Sequence, residues 1–356
     1  MRLTSIAAGI LVLAASAYPL ARPMVSRAAA LGRSAFQESS PRGPLIDRPA
    51  ANQGSQTPQQ QEPPQSSAPL QVQTTVVNVF TTVRDRHNGI VSDLKKDDFK
   101  VFEDGVEQKI SYFTKEVDLP LSLALLMDTS GSMQEILNAE KEAASNFVEE
   151  VMHKKDEALI MSFDTDVNLL ADFSEDPSVL QQAIRRAEIN VDATGVGGTG
   201  GTVPSRGGGT NLYDAVYLAA HDELLPEAGR KAIILLTDAE DTGSKLSEND
   251  AIESAQRADT VLHFILITDP NATEGYGPGV ASKMAHETGG RVISVRNDEG
   301  LRKAFDTLAE ELRSQYVIGY YPANTKHDGT FRKIRVDVDR ADLKILARKG
   351  YYAPSR

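Results

Sequence analysis

The chain has 356 residues, of which 38 are basic and 50 acidic, for a formal charge of −12, and it contains no cysteine. That length exceeds one ordinary domain and fits two with extra segments, and 40% hydrophobic residues are ample for a core. The acidic balance, with no basic stripe, argues against nucleic acid as a partner, and the lack of Cys excludes disulfides, zinc-thiolate sites and a lipid-modified N-terminal cysteine.

At the N-terminus, Arg2 precedes the apolar stretch 6–20, IAAGILVLAASAYPL, and Ala15-Ser16-Ala17 offers a small-x-small cleavage site. The run falls short of the roughly 20 residues a membrane span needs. Residues 1–30 are therefore expected to be a signal peptide that sends the chain to the periplasm, the cell surface or the medium. The runner-up is an uncleaved anchor, since Arg22 and Arg27 lie just beyond; it would be the only contact with a membrane. Residues 31–69 are rich in Pro, Gln and Ser, with no aromatic between Phe36 and Phe80. Such a segment buries too little apolar area to fold and reads as a disordered linker.

Residues 70–117 have the pattern of strands. Val77, Val79 and Val83 share one parity, and Asp104-Gly105 supplies the turn of a hairpin between 99–103 and 106–113. Three or so strands are marginal alone, and the other end of the chain offers partners. Residues 333–339 alternate, with Ile334, Val336 and Val338 on one face, and short strands are expected at 343–347 and 350–353. The two flanks, 70–117 and 323–356, are expected to pair into one β-sandwich-like domain, with the segment 118–322 inserted between them.

That central segment alternates strand and helix, which predicts an α/β fold: a doubly wound, mostly parallel sheet with helices on both faces. Strands are expected at 121–127, 158–163, 167–170, 232–237, 261–267, 291–295 and 316–320. Helices are expected at 134–152, 176–186, 211–225, 248–258, 279–288 and 299–312. Inside it, 192–209 holds eight glycines in eighteen residues. This is either a mobile loop that lets Thr210 shift or, the favoured reading, an insertion without a role. It is no phosphate cradle, since no strand–GxxxxGK[ST]–helix order exists.

The chemistry concentrates at LSLALLMDTSGSM (121–133). A buried strand ends at Asp128, and Ser130 and Ser132 follow at alternate positions. Oxygen side chains in this pattern suit a hard divalent cation. One carboxylate and two hydroxyls neither neutralise the ion nor fill its shell, so the site would await an outside carboxylate. The motif resembles the metal-ion-dependent adhesion site of von Willebrand factor type A domains. Two further pieces of that pattern follow in order: Thr210 in GGGTNLYDAV and Asp238 in IILLTDAEDTGS.

The resemblance implies that Ser130 and Ser132 ligate the ion directly, that Thr210 does so directly or through water, and that Asp128 and Asp238 act through water. It implies Mg²⁺ first, with Mn²⁺ or Ca²⁺ as alternatives, and a protein ligand that supplies an Asp or Glu to the metal. Ala239 stands where many family members have Gly after the Asp and constrains that turn; Glu240 and Asp241 add negative charge. The segments 98–110, 311–322 and 347–354 resemble a bacterial VWFA-related family of exported proteins.

Each residue also has a bland role. Ser130 could build the strand–helix turn, Ser132 could cap the helix near Gln134, Thr210 could cap the helix at Asn211, and Asp238 could simply end a strand. Asp164 and Asp166 read as solvated carboxylates in a hairpin turn, and His263 as a satisfied core residue. Enzyme readings lack support: no HExxH, no GxSxG, no GxGxxG after the first strand, and no histidine in a triad context for Ser130 or Ser132. The sequence thus predicts a non-enzymatic, cation-dependent protein-binding module, with an envelope scaffold whose metal site is unused as the alternative.

Overall fold

The computed structural model describes residues 76–115, 119–189, 209–268 and 277–355. The expected signal segment 1–30, the linker 31–69 and all of the Gly-rich loop except Gly209 lie outside the described residues. Pro69–Arg356 form one compact unit. Among the described residues no helix is long and apolar enough to cross a membrane.

A six-stranded sheet lies at the centre. Its strands are β5 (Leu121–Asp128), β6 (Glu157–Phe163), β7 (Val167–Ser174), β8 (Arg230–Thr237), β9 (Thr260–Ile267) and β10 (Val292–Val295), in the spatial order β10-β9-β8-β5-β6-β7. All neighbours run parallel except β6 and β7, which form an antiparallel edge. β5 and β6 are buried almost throughout, as their continuous apolar runs require of strands covered on both faces.

Six helices cover the faces: α1 (Leu137–Val151), α2 (Pro177–Arg185), α3 (Leu212–Leu218, extended by a π-helical turn over Ala219–Leu224), α4 (Glu248–Arg257), α5 (Gly277–Thr288) and α6 (Asp298–Arg313). The first face packs α1, α2 and α6 on Leu123, Leu125, Met127 and Ile234. The other packs α3, α4 and α5 on Leu126, Ile233, Leu235 and Phe264. The chain leaves β5 toward β6 on one side and later returns to β8 on the other. The strand order therefore reverses between β5 and β8, and their carboxyl ends open a crevice there, the usual place for a ligand in doubly wound sheets.

The flanks pair as two four-stranded antiparallel sheets. One is β13 (Lys344–Ala347), β1 (Val77–Arg84), β11 (Tyr316–Tyr320) and β4 (Ile110–Thr114); the other is β14 (Gly350–Tyr352), β12 (Phe331–Val338), β2 (Phe99–Glu103) and β3 (Val106–Gln108). They close over one core holding Val79, Val83, Phe99, Val101, Ile318, Tyr320, Ile334 and Val336. One sequence expectation is corrected here. Tyr316–Tyr320, read as part of the central alternation, instead fills the gap between β1 and β4. Its tyrosines explain why. The Tyr316 hydroxyl donates to the Val91 carbonyl (2.9 Å) and accepts from the Leu94 N–H (3.0 Å), and the Tyr320 hydroxyl donates to Glu103 (2.9 Å). A buried phenol needs such a partner.

Buried ion pairs fasten the two parts together. Arg84 of β1 and Arg291 both donate to Glu311 of α6, at 2.7 and 3.2 Å, and Glu311 is fully buried. His263 lies in the same region, and burial lowers its pKa, with Glu311 opposing and Arg291 and Arg84 adding to the effect. It is buried as expected but not satisfied, because neither ring nitrogen has a hydrogen-bond partner.

Candidate metal centre

The crevice is built from four loops. β5 delivers Asp128 as its last residue, with no exposed surface. Each carboxylate oxygen of Asp128 accepts one hydrogen bond: Oδ1 from the Ser130 N–H at 3.0 Å and Oδ2 from the Thr237 hydroxyl at 2.6 Å. Burial pushes the Asp128 carboxyl up to about 7 against these hydrogen bonds, and the charge of Asp238 adds to the rise. Thr237 is the last residue of β8, so this bond ties the two strand ends across the crevice. Its hydroxyl also accepts the Ala239 N–H at 2.9 Å.

After Asp128 the chain turns through Ser130 into a 3-10 turn at Gly131–Met133. The Ser130 and Ser132 hydroxyl oxygens stand 3.0 Å apart. Neither serine caps a helix: α1 begins only at Leu137, after Ile136, and Ser130 makes no side-chain cap. The predicted helix at 134–152 starts late because this turn intervenes. Thr129 points the other way, donating to Asp164 at 2.8 Å.

Asp164 corrects a second expectation. It is buried rather than solvated, it holds Thr129, and its backbone carbonyl accepts the Asn211 N–H at 2.8 Å. One residue thereby joins the loop after β5 to the loop that carries Thr210. Thr210 itself is buried, and its carbonyl accepts N–H bonds from Thr242 and Gly243 while its N–H donates to the Thr242 hydroxyl. Asn211, not Thr210, precedes α3, and it makes no side-chain cap either.

Asp238 follows β8 half-buried, accepting the Glu240 N–H at 3.0 Å. Ala239 next to it has φ = 60°, the left-handed conformation that glycine adopts freely and that costs other residues about 1–2 kcal/mol. Gly277 of α5 presses on this turn: a Cβ there would lie 2.1 Å from the Asp238 carbonyl oxygen. Asp241 accepts from the Ser244 hydroxyl (2.5 Å) and from the Tyr213 N–H, which hold it against the start of α3.

All five sequence-predicted residues, Asp128, Ser130, Ser132, Thr210 and Asp238, thus lie on three loops around the carboxyl ends of β5 and β8. Thr237, Thr129 and Glu140 were missed. Glu140 is fully buried on α1, with both carboxylate oxygens unpartnered; burial raises its pKa well above the usual range, and the charges of Asp128 and Asp238 add to that.

The donor set fits a hard cation. Around an octahedral Mg²⁺ with oxygens at about 2.0–2.1 Å, neighbouring ligands are about 2.9 Å apart, and the two serine hydroxyls have that spacing. Among the described residues no three His, Cys, Asp or Glu side chains are arranged to hold an ion by themselves, so hydroxyls would supply the direct contacts.

Residues 123–240 match the family model of the von Willebrand factor type A domain. The chain carries a von Willebrand factor type A domain. No curated protein matches the chain. Solved structures that resemble it include the conserved hypothetical protein BatB from Bacteroides thetaiotaomicron, 16% identical over 55% of this chain and 100% of that one, with a TM-score of 0.41. The vWF domain of the type V pili tip protein Mfa5 from Porphyromonas gingivalis is 15% identical over 55% and 96%, with a TM-score of 0.43. A von Willebrand factor type A protein from Catenulispora acidiphila is 14% identical over 72% and 73%, with a TM-score of 0.41. Likenesses this remote carry no argument about function.

Proposed function

We propose that the chain is an exported, non-catalytic module that binds a protein ligand through a divalent cation held at Asp128, Ser130, Ser132, Thr210 and Asp238. The observation that carries this reading is the Ser130–Ser132 hydroxyl pair, spaced 3.0 Å apart beside the buried Asp128 carboxylate. Mg²⁺ suits that spacing best. A bound cation would supply an electrophilic point for a carboxylate oxygen of the ligand.

The chain's own residues set up that point. Ser130 and Ser132 offer neutral oxygens, which leave most of a cation's charge uncompensated toward solvent. Asp128, held by Thr237 and the Ser130 N–H, cannot swing out to satisfy it. Ser132 is exposed while Asp128 is sealed, so the open side of the crevice faces outward, where an Asp or Glu of a partner can approach. In a partly desolvated crevice that contact is stronger than in bulk water.

Calorimetric titration of Mg²⁺, Mn²⁺ and Ca²⁺ into the protein tests the first half. The heat should vanish in Ser132→Ala, an exposed change that spares the core. Wild-type protein that takes up no cation, or Ser132→Ala that binds as wild type does, would defeat the reading. The second half is tested by pull-down with and without chelator: a partner retained equally in both would put the contact elsewhere, on the β-sandwich.

A further inference from the structure

Glu140 lies in the first turn of α1, on the face shared by Leu137, Ala144, Phe147 and Val151. Leu137 precedes Glu140 by three residues and the others follow it by four, seven and eleven, so they form one stripe, and that stripe packs on the central sheet. An apolar side chain would fill the place. Instead a carboxylate occupies it with no exposed surface and no hydrogen bond to either oxygen.

The other buried glutamates are treated differently. Glu311 meets two arginines, and Glu103 accepts from Tyr320 and Tyr351 and faces Arg332. Glu140 has no such partner. The charged groups acting on it are Asp128 at the end of β5 and Asp238 after β8. α1 follows directly from the Ser130–Ser132 turn, so its first turn is the part of the helix nearest those strand ends. Both charges that act on Glu140 are thus acidic, and among the described residues it has no cationic partner.

We propose that Glu140 is a third acid of the cation site, holding the bound ion through water from the interior of the fold beside Asp128 and Asp238. The proposal rests on the cation reading above and deepens it. Among the described residues no three acidic side chains are arranged to chelate an ion directly, so the contact runs through water. Glu140 acts from the sealed side of the crevice, while the outward side, lined by the Ser130 and exposed Ser132 hydroxyls, stays open to a partner's carboxylate. The bound cation stabilises the fold by giving this buried, unpartnered acid a counter-charge.

The test is a calorimetric Mg²⁺ titration of the chelator-stripped full chain, with melting temperatures recorded in chelator and in Mg²⁺, for wild type and Glu140→Gln. Removal of an outer-shell acid is expected to weaken Mg²⁺ binding about 10-fold or more. Glu140→Gln should also melt higher than wild type in chelator and gain less from added Mg²⁺. Glu140→Met, similar in volume and apolar, should fold, resist heat in chelator and bind Mg²⁺ weakly; it serves if the glutamine variant fails to fold. Wild-type Mg²⁺ affinity in either variant would overturn the role of Glu140 and leave the cation reading standing. A wild-type protein that takes up no Mg²⁺ would overturn both.

Discussion

Thr237→Val is the most informative single change in the crevice. Valine has the shape of threonine without the hydroxyl, and that hydroxyl makes two buried bonds: it donates to Asp128 at 2.6 Å and accepts the Ala239 N–H at 2.9 Å. Loss of a bond to a charged acceptor costs about 1.5–3 kcal/mol, and a buried N–H left unpaired costs about 1–3 kcal/mol. With part of the second recovered by relaxation of the turn, the expected loss is about 3 kcal/mol, read from urea unfolding followed by circular dichroism. Thr237→Ser keeps both bonds and deletes one methyl, so it should lose only about 1 kcal/mol. Because Thr237 also fixes the Asp128 carboxylate of the proposed cation site, the valine variant should bind Mg²⁺ about 10–100-fold more weakly. A valine variant within about 0.5 kcal/mol of wild type, with unchanged Mg²⁺ affinity, would refute the idea that this bond organises the crevice.

Further outcomes follow from other contacts. Glu311→Ala strands Arg84 and Arg291 in a buried place and should cost about 3–5 kcal/mol in unfolding free energy, while replacing Arg84, Arg291 and Glu311 together by Met should recover much of it. His263 has a folded pKa below its unfolded value of about 6.5. Its neutral form is favoured in the fold, so the stability it supports is present above about pH 6.5 and is lost as pH falls below it, by up to about 1.4 kcal/mol per pH unit. His263→Met should therefore flatten the stability curve between pH 7 and 5, and parallel curves would refute this. Gly277→Ala places a methyl against the Asp238 carbonyl and should weaken Mg²⁺ binding, whereas Gly279→Ala on the same helix meets nothing within 4 Å and should not; both are read by calorimetry.

The central α/β architecture was legible because buried parallel strands announce themselves as apolar runs and the surface helices as periodic stripes. The pairing of the flanks was legible from their shortness, which leaves each without a core. Tyr316–Tyr320 was misplaced because a strand buried on both faces reads alike in any sheet, and only the hydroxyl partners of Tyr316 and Tyr320 reveal its neighbours. Asp128, Ser130 and Ser132 stood out through their spacing on one strand end, but Thr210 and Asp238 were found only by resemblance. Thr237 and Asp164 work through partners far away in the chain, at Asp128 and at Thr129 and Asn211, and no local pattern encodes such contacts. Glu140 was hidden by the opposite effect. In NAEKEAA it is one charge among several, and only the packing of α1 on the sheet singles it out as the buried one.

The most direct test of the central claim is a crystal structure of the protein grown with Mn²⁺, with anomalous differences collected to locate the metal. The account predicts one strong peak in the crevice within bonding distance of both the Ser130 and Ser132 hydroxyls, with Asp128 and Asp238 reaching it through water. A crevice without a peak at saturating Mn²⁺, or a metal held elsewhere by carboxylates alone, would contradict it.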